Sequence, residues 1–345
     1  MNIEIISSDQ TEKWDDMVRS FEDYDVYYLN GYAEGFRVHG DGEPMLFYIE
    51  DDDCRAMNVV MKRVLLGIPD MKDSPVVREN FDICTPYGYG GFLVEGKMSR
   101  KMAEAYCELC AKNNIVSEFV RFNPMTNNQA ECHDIYEIIP LGETVYIDLQ
   151  DEEYVWGNFT SQNRNKIRKA QKEGVTIHTT DQPWIIDEFI EIYDSTMERD
   201  RAEDYYYFKR GYYDSIISGL QNHFQFFYAK KDDNIIAVSI ILFANRRMHY
   251  HLSASIKEFQ KYAPTNLLLY EAAKFGIDNG FKTFHLGGGV GSKEDSLYKF
   301  KKSFNKRENK RYCIGKKIYD YQKYNQLVKC RTDIKNENFF PKYRG

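Results

Sequence analysis

The 345-residue chain is poor in several things that would place it quickly. It has no apolar run near the roughly 18 residues a membrane span requires, and its first residues, MNIEIISSDQ, carry neither a basic region nor an apolar core for export. We therefore expect a cytoplasmic protein with no transmembrane segment. Cysteine is scarce and irregular: Cys54, Cys84, Cys107, Cys110, Cys132, Cys313 and Cys330 form an odd, dispersed set, which suits reduced thiols better than a disulfide framework. Cys107 and Cys110 make one C-x-x-C with no second pair, and even with Cys132 and His133 nearby in sequence nothing in the spacing asks for a metal. We expect none. Excess positive charge is also missing, since the formal net charge is −7, and DNA is not an expected partner. Heptad repeats are absent, as are a serine or cysteine nucleophile motif and G-x-x-x-x-G-K-[ST].

What is present is 43% hydrophobic and 29% charged residues, the balance of a globular chain long enough for two domains. Alternation predicts strands at 2–7, 46–50, 58–66, 117–122, 134–140, 144–149, 175–178, 225–229, 235–243 and 248–253. Threefold and fourfold spacing predicts helices at 11–21, 99–112, 152–173, 185–200 and 267–279, with Gly174 and Gly280 as terminators. A strand, bend, helix and strand recur at 81–122 and 248–286, which points to a duplicated α/β domain.

Two constellations carry chemistry. Thr283 to Leu286 predicts a buried strand that runs out into Gly287, Gly288, Gly289 and Gly291, a loop whose backbone N–H groups can approach a ligand closely. Leu297, Phe300 and Phe304 then mark the apolar face of a helix. From Lys293 to Arg311, eight basic residues face three acidic ones, so the local field is positive. The dinucleotide fingerprint G-x-G-x-x-G fails here, because Ser292 occupies its last place. The second constellation is Ser161 to Lys172, SQNRNKIRKAQK, with Arg164, Lys166, Arg168, Lys169 and Lys172 and no acid. Arg164, Arg168 and Lys172 fall on one helical stripe, and arginine forks bind phosphate, so an anionic partner, a polyphosphate or RNA, is expected.

These letters resemble the Fem-type peptidoglycan-bridge transferases and their acetyltransferase-like relatives in the GNAT superfamily. The resemblance rests on the basic motif of Ser161 to Val175, TPYGYGG at Thr85 to Gly91, HYHLSAS at His249 to Ser255, APTNLLLYEAAKFG at Ala263 to Gly276, and HLGGG with KFKKSF between His285 and Phe304. It implies two tandem GNAT-like domains, each a mixed, mostly antiparallel sheet flanked by helices, over residues 1–143 with 314–345 and over 144–313, with an acceptor cleft between them. The family's Phe-Lys pair is similar to Phe300 and Lys301, the lysine lying near the reacting carbonyl. Arg164, Arg168, Tyr87, Tyr89, Tyr250 and Gly287 to Gly289 are then expected to bind substrate, and Pro264, Thr265 and Asn266 a cofactor's phosphates. Two family features are missing: the coiled-coil arm, and the usual GNAT pyrophosphate loop, replaced here by Gln260 to Asn266.

The activity implied is N-acyl transfer from acyl-coenzyme A to an amino group of a cell-envelope saccharide or nucleotide-sugar precursor. The alternative donor is aminoacyl-tRNA, with an anionic or lipid-linked acceptor in either case. A non-catalytic saccharide or nucleic-acid binding protein is the alternative from another class.

Overall fold

A computed structural model describes residues 1–345. It divides into two units, Met1–Leu141 with Tyr312–Gly345, and Gly142–Arg311.

The first unit opens with β1 (Asn2–Ser7), α1 (Thr11–Arg19), α2 (Asn30–His39) and the hairpin β2 (Glu43–Asp51) and β3 (Cys54–Val64). There follow α3 (Pro75–Arg78), β4 (Phe81–Cys84), β5 (Leu93–Glu95), α4 (Arg100–Lys112) and β6 (Ile115–Arg121). The chain leaves this unit along β7 (Glu137–Asp148). The second unit holds α5 (Glu152–Asn158), α6 (Ser161–Lys172), β8 (Thr176–Thr180), α7 (Ile185–Asp200), α8 (Arg210–Gly219), β9 (Phe224–Lys231), β10 (Asn234–Ala244) and β11 (Arg247–Ser255). It continues with α9 (Pro264–Asp278), β12 (Thr283–Gly287) and α10 (Ser296–Lys302). The chain returns along β13 (Lys310–Ile318) and ends in the first unit with α11 (Tyr321–Cys330).

The strands of the two units follow one plan. In the first the order is β1-β2-β3-β4-β6-β13, with β5 on β3, and in the second β8-β9-β10-β11-β12-β7. Every neighbour is antiparallel except β4 with β6 and β11 with β12, which are parallel across the helices α4 and α9. A parallel pair needs a crossover, and the helix supplies it. In each unit one strand takes a partner from a distant part of the sequence: β6 pairs with β13 although β7 follows it in the chain, and β12 pairs with β7 although β13 follows.

Several local expectations change. Residues 134–149 hold one strand, β7, rather than two, because the ladder continues through Pro140 and Leu141. The helix expected over 152–173 is broken at Phe159, which is extended and fully buried, and α6 restarts where the Thr160 hydroxyl accepts from the Asn163 N–H. The helix expected over 11–21 ends at Arg19, with Gln10 in its N-cap place. Packing explains α9, which is apolar nearly all round: one side meets β9 to β12, and the other is covered by α5 and α6. The buried stripe Asn163, Ile167 and Ala170 of α6 lies on that helix.

Candidate active site

Strands β11 and β12 pair over three positions only, Arg247 with Thr283, Met248 with Phe284 and His249 with His285. β11 continues to Ser255, so beyond His249 the ladder between the two strands stops and a wedge opens. At the same level β11 is bulged: Tyr250 faces Ile241 and Leu252 faces Ile240, leaving His251 with no opposite residue on β10. A bulge reverses the in-and-out alternation of side chains. Tyr250 and Ser253 consequently share a face, and burial pushes the Tyr250 pKa up to about 12, against the opposing effect of the Ser253 and Ser239 hydroxyls. The Ser239 hydroxyl donates to that of Ser253 at 2.8 Å.

Lys301 is the charge at this opening. Its side chain is 9% exposed, and its Nζ donates to the Gly288 carbonyl at 2.7 Å. Burial lowers its pKa to about 8, against the pull of Asp295. Of the three ammonium donors only one is engaged by that bond. His285 and His249 are buried on the paired strands with ring centroids 5.7 Å apart. Burial, then His249, then Lys301 hold His285 well below the usual imidazole range, so its ring is neutral at pH 7. His251 is bonded through Nε2 to the Tyr212 hydroxyl at 2.6 Å, and burial followed by His249 lowers its pKa to about 3.

The orientation of α10 differs from the sequence expectation. Tyr298 and Lys301 are its buried residues, whereas Leu297 is exposed and Phe300 half-buried. Phe300 still meets Phe304, edge to face at 5.5 Å. The glycine loop is the cause. It folds tightly under the helix, where Asp295 accepts from Tyr298 N–H at 2.9 Å and Val290 N–H at 3.1 Å, and Lys301 reaches back into it. A Cβ on Gly289 would lie 2.1 Å from the Lys293 carbonyl and 2.4 Å from Asp295 Oδ1. Gly289 is thus required by the loop's own closure. Gly287, with φ +80°, makes the turn out of β12.

Other expected site residues are engaged elsewhere. The Arg164 guanidinium donates to the carbonyls of Phe159 at 2.6 Å, Trp156 at 3.3 Å and Gly157 at 3.5 Å, closing the C-terminus of α5. Arg168 is exposed and lies over the Trp156 ring at 5.1 Å. The Asn266 amide donates to Asn163 Oδ1 at 2.8 Å in a buried bond between α9 and α6. Pro264 occupies the first turn of α9, which removes one of the N–H groups a phosphate would use, and Thr265 is half-buried beside it. Coenzyme A would therefore find little more than the Thr265 and Asn266 backbone amides there. Tyr87 and Tyr89 belong to the first unit, in an aromatic cluster: Tyr87 tilts on Phe36 at 5.7 Å, and Tyr89 sits edge-on to Tyr27 and Tyr312, each at 5.6 Å. No group of three or more His, Cys, Asp or Glu side chains is placed to hold a metal ion.

Residues 157–302, which contain the wedge, the glycine loop and Lys301, match the acetyltransferase (GNAT) domain family. The chain is 27% identical over 178 residues to the UDP-N-acetylmuramoylpentapeptide-lysine N(6)-alanyltransferase of Weissella viridescens, covering 50% of this chain and 51% of that protein. It thus spans about half the length of the curated relative it matches. The crystal structure of FemX superposes with a TM-score of 0.68 at 15% identity, over 95% of this chain and 100% of that one. Over residues 157–302 the chain is thus similar to GNAT acyltransferase domains, and its fold is similar to that of FemX. A tandem GNAT protein from the clavulanic acid biosynthesis pathway shares the fold more distantly, with a TM-score of 0.52 at 10% identity over 92% of this chain and 99% of that chain. Within residues 157–302 the elements of interest are the parallel pair that splits and the bulge beside it. Sequence reasoning missed His285 and Tyr212 as members of this neighbourhood. A histidine in each of two apolar strands was visible, but only the register makes His249 and His285 opposite one another.

Proposed function

We propose that this chain is an acyltransferase that moves an aminoacyl group from aminoacyl-tRNA to a primary amine on a peptide-bearing, anionic cell-envelope precursor. The observation that carries the reading is the opened β11–β12 wedge with the buried Lys301 ammonium at its edge, in a domain similar to that of the Weissella alanyltransferase. This is the second of the two donors raised from sequence. Acyl-coenzyme A remains the general donor type of the GNAT family, but the start of α9 has lost a donor to Pro264 and spends the Asn266 side chain on Asn163.

In the proposed step the uncharged amine attacks the ester carbonyl, an amide bond forms, the ester C–O bond breaks, and the amine's proton ends on the departing hydroxyl. Negative charge develops on the carbonyl oxygen during attack. A fixed cation in a dry site stabilises that charge with no reorganisation at the moment of reaction. With a pKa of about 8, Lys301 is about nine-tenths protonated at pH 7. The backbone of the His251 bulge and the short-sided glycine loop let a carbonyl come close.

The test incubates the purified chain with alanyl-tRNA and UDP-N-acetylmuramoyl-pentapeptide, or with acetyl-coenzyme A and an amino sugar, and looks for amide product by mass spectrometry. Product from the first pair is expected. Product from the second pair alone would return the thioester donor, and none from either, with binding retained, would make the chain a binding protein.

A further inference from the structure

α6 is the most unbalanced surface of the molecule. Arg168, Lys169 and Lys172 point away from the buried stripe, Lys166 flanks them, and Lys306 and Arg307 lie against the neighbouring end of α5, where Lys306 Nζ donates to the Gly157 carbonyl at 2.7 Å and Arg307 covers the Tyr154 ring at 4.7 Å. All six are exposed. Ion pairs of the second unit include Arg199 with Asp200, Arg210 with Asp187 and Asp214, and Lys274 with Glu271, and these six residues are in none of them. The surface of α4 shows the ordinary arrangement, with Arg100 on Glu104, Lys101 on Asp51 and Lys112 on Glu108. Uncompensated cations on one face repel one another, a cost that a polyanion would offset.

We propose that this face of α5 and α6 docks RNA; the proposal rests on the aminoacyl-tRNA reading above and locates where that donor is held. A single small phosphate needs donors converging on one point, whereas these charges run in a line along a helix, one turn apart, and match a chain of phosphates. Trp156 and Tyr154 hold the two guanidinium planes and add ring faces of the kind on which unpaired bases stack. An anionic membrane is the poorer partner. The apolar residues of α6, Ile167 and Ala170, are buried among the second unit's core residues, so the helix has nothing to insert between lipids.

The test compares wild type with Lys166→Glu/Lys169→Glu/Lys172→Glu, using fluorescein-labelled tRNA transcript across 50–200 mM salt. We expect the dissociation constant to rise about tenfold or more, and the slope of log affinity on log salt to become shallower by about 3. Transfer from aminoacyl-tRNA should show a raised KM, and the rise should be clearly smaller for an aminoacylated CCA trinucleotide, which presents far fewer phosphates to the face. Unchanged tRNA affinity and KM in the variant would overturn the docking surface while leaving the donor assignment intact. Wild-type tRNA binding at this face with no aminoacyl transfer would do the reverse. Equal loss with both donors would show the helix acting on the active site, and binding of phosphatidylglycerol vesicles without tRNA would give the face to a membrane. If the reversed variant loses its melting transition, the triple Lys→Gln variant reads the same outcomes.

Discussion

The two parallel strand pairs have the same topology and different endings. In the first unit the pair β4–β6 is sewn up beyond its ladder: Thr85 N–H donates to Phe119 O at 3.1 Å, Arg121 N–H to Thr85 Oγ1 at 3.2 Å, and Gly90 N–H to Arg121 O at 2.7 Å. Asn128 then fastens the turn by donating to the Gly90 and Phe92 carbonyls at 2.8 and 2.9 Å. In the second unit the pair β11–β12 stops at His249–His285 and stays open. Their buried ionisable groups differ in the same sense. Asp82 of β4 is fully enclosed between Arg63 and Arg344, at 2.8 and 2.6 Å, whereas buried Lys301 has no carboxylate in contact and one carbonyl. A charge satisfied on all sides holds a fold together, and one left with spare donors beside an opening can act on a substrate. Two copies of one plan can thus divide structure and chemistry between them.

The largest expected effect tests the sealed side. Asp82→Asn leaves two guanidinium charges with a neutral partner, and loss of a buried ion-pair member typically costs about 3–5 kcal/mol, to be read from urea unfolding of the first unit's transition. Asp82 has its pKa lowered by Arg63 and Arg344 against the opposing effect of burial. Its contribution is therefore present above the unfolded pKa near 3.8 and is lost as pH falls through the lower folded value. The wild-type advantage over Asp82→Asn should shrink in acid; a constant difference would show that the triad's charge is not what stabilises it.

Next in size is the open side. Lys301→Met keeps much of the stem and removes the charge, and the turnover number should fall by about 10²-fold or more. Lys302 is a poor control because its Nζ donates to Arg307 O at 2.6 Å and Asn309 Oδ1 at 2.9 Å; the exposed Lys299→Met is the better one and should change turnover little. Turnover of wild type should decline as pH rises through about 8. The stability sign is opposite: the folded lysine loses its proton near 8 and the unfolded one near 10.5, so the burial penalty is relieved and wild type gains stability relative to Lys301→Met across that window. Equal turnover in the Lys299 and Lys301 variants would remove Lys301 from the chemistry.

The smallest effect separates two arginines of one helix. Arg164→Gln removes the donor that closes α5 and should cost about 1–2 kcal/mol in unfolding free energy, as for loss of a helix cap. Arg168→Gln, on the exposed face, should stay within about 0.5 kcal/mol. If the two variants melt alike, the carbonyl contacts of Arg164 contribute no net stability.

Much of this chain was legible because local physics decides it. Helix α7 occupies the residues its spacing predicts, and Gly174 and Gly280 terminate α6 and α9 at φ +77° and +75°, where a side chain would be strained. The duplicated strand-helix-strand pattern and the basic run of α6 were equally visible, since periodicity and charge are properties of neighbours in sequence. The face α10 buries was not. Leu297 and Phe300 are its apolar letters, yet the folded glycine loop and the Asp295 cap turn Tyr298 and Lys301 inward. Nor could the letters show that Arg164 is spent on backbone while Arg168 is free to meet solvent. By itself the sequence determined the elements, their ends and the sign of their surfaces. Only tertiary structure decided that β6 takes β13 and β12 takes β7, that one parallel pair is sealed and the other open, and that a lysine is buried with donors to spare. Strand partners lie more than a hundred residues apart, and register, burial and desolvation exist only once they meet.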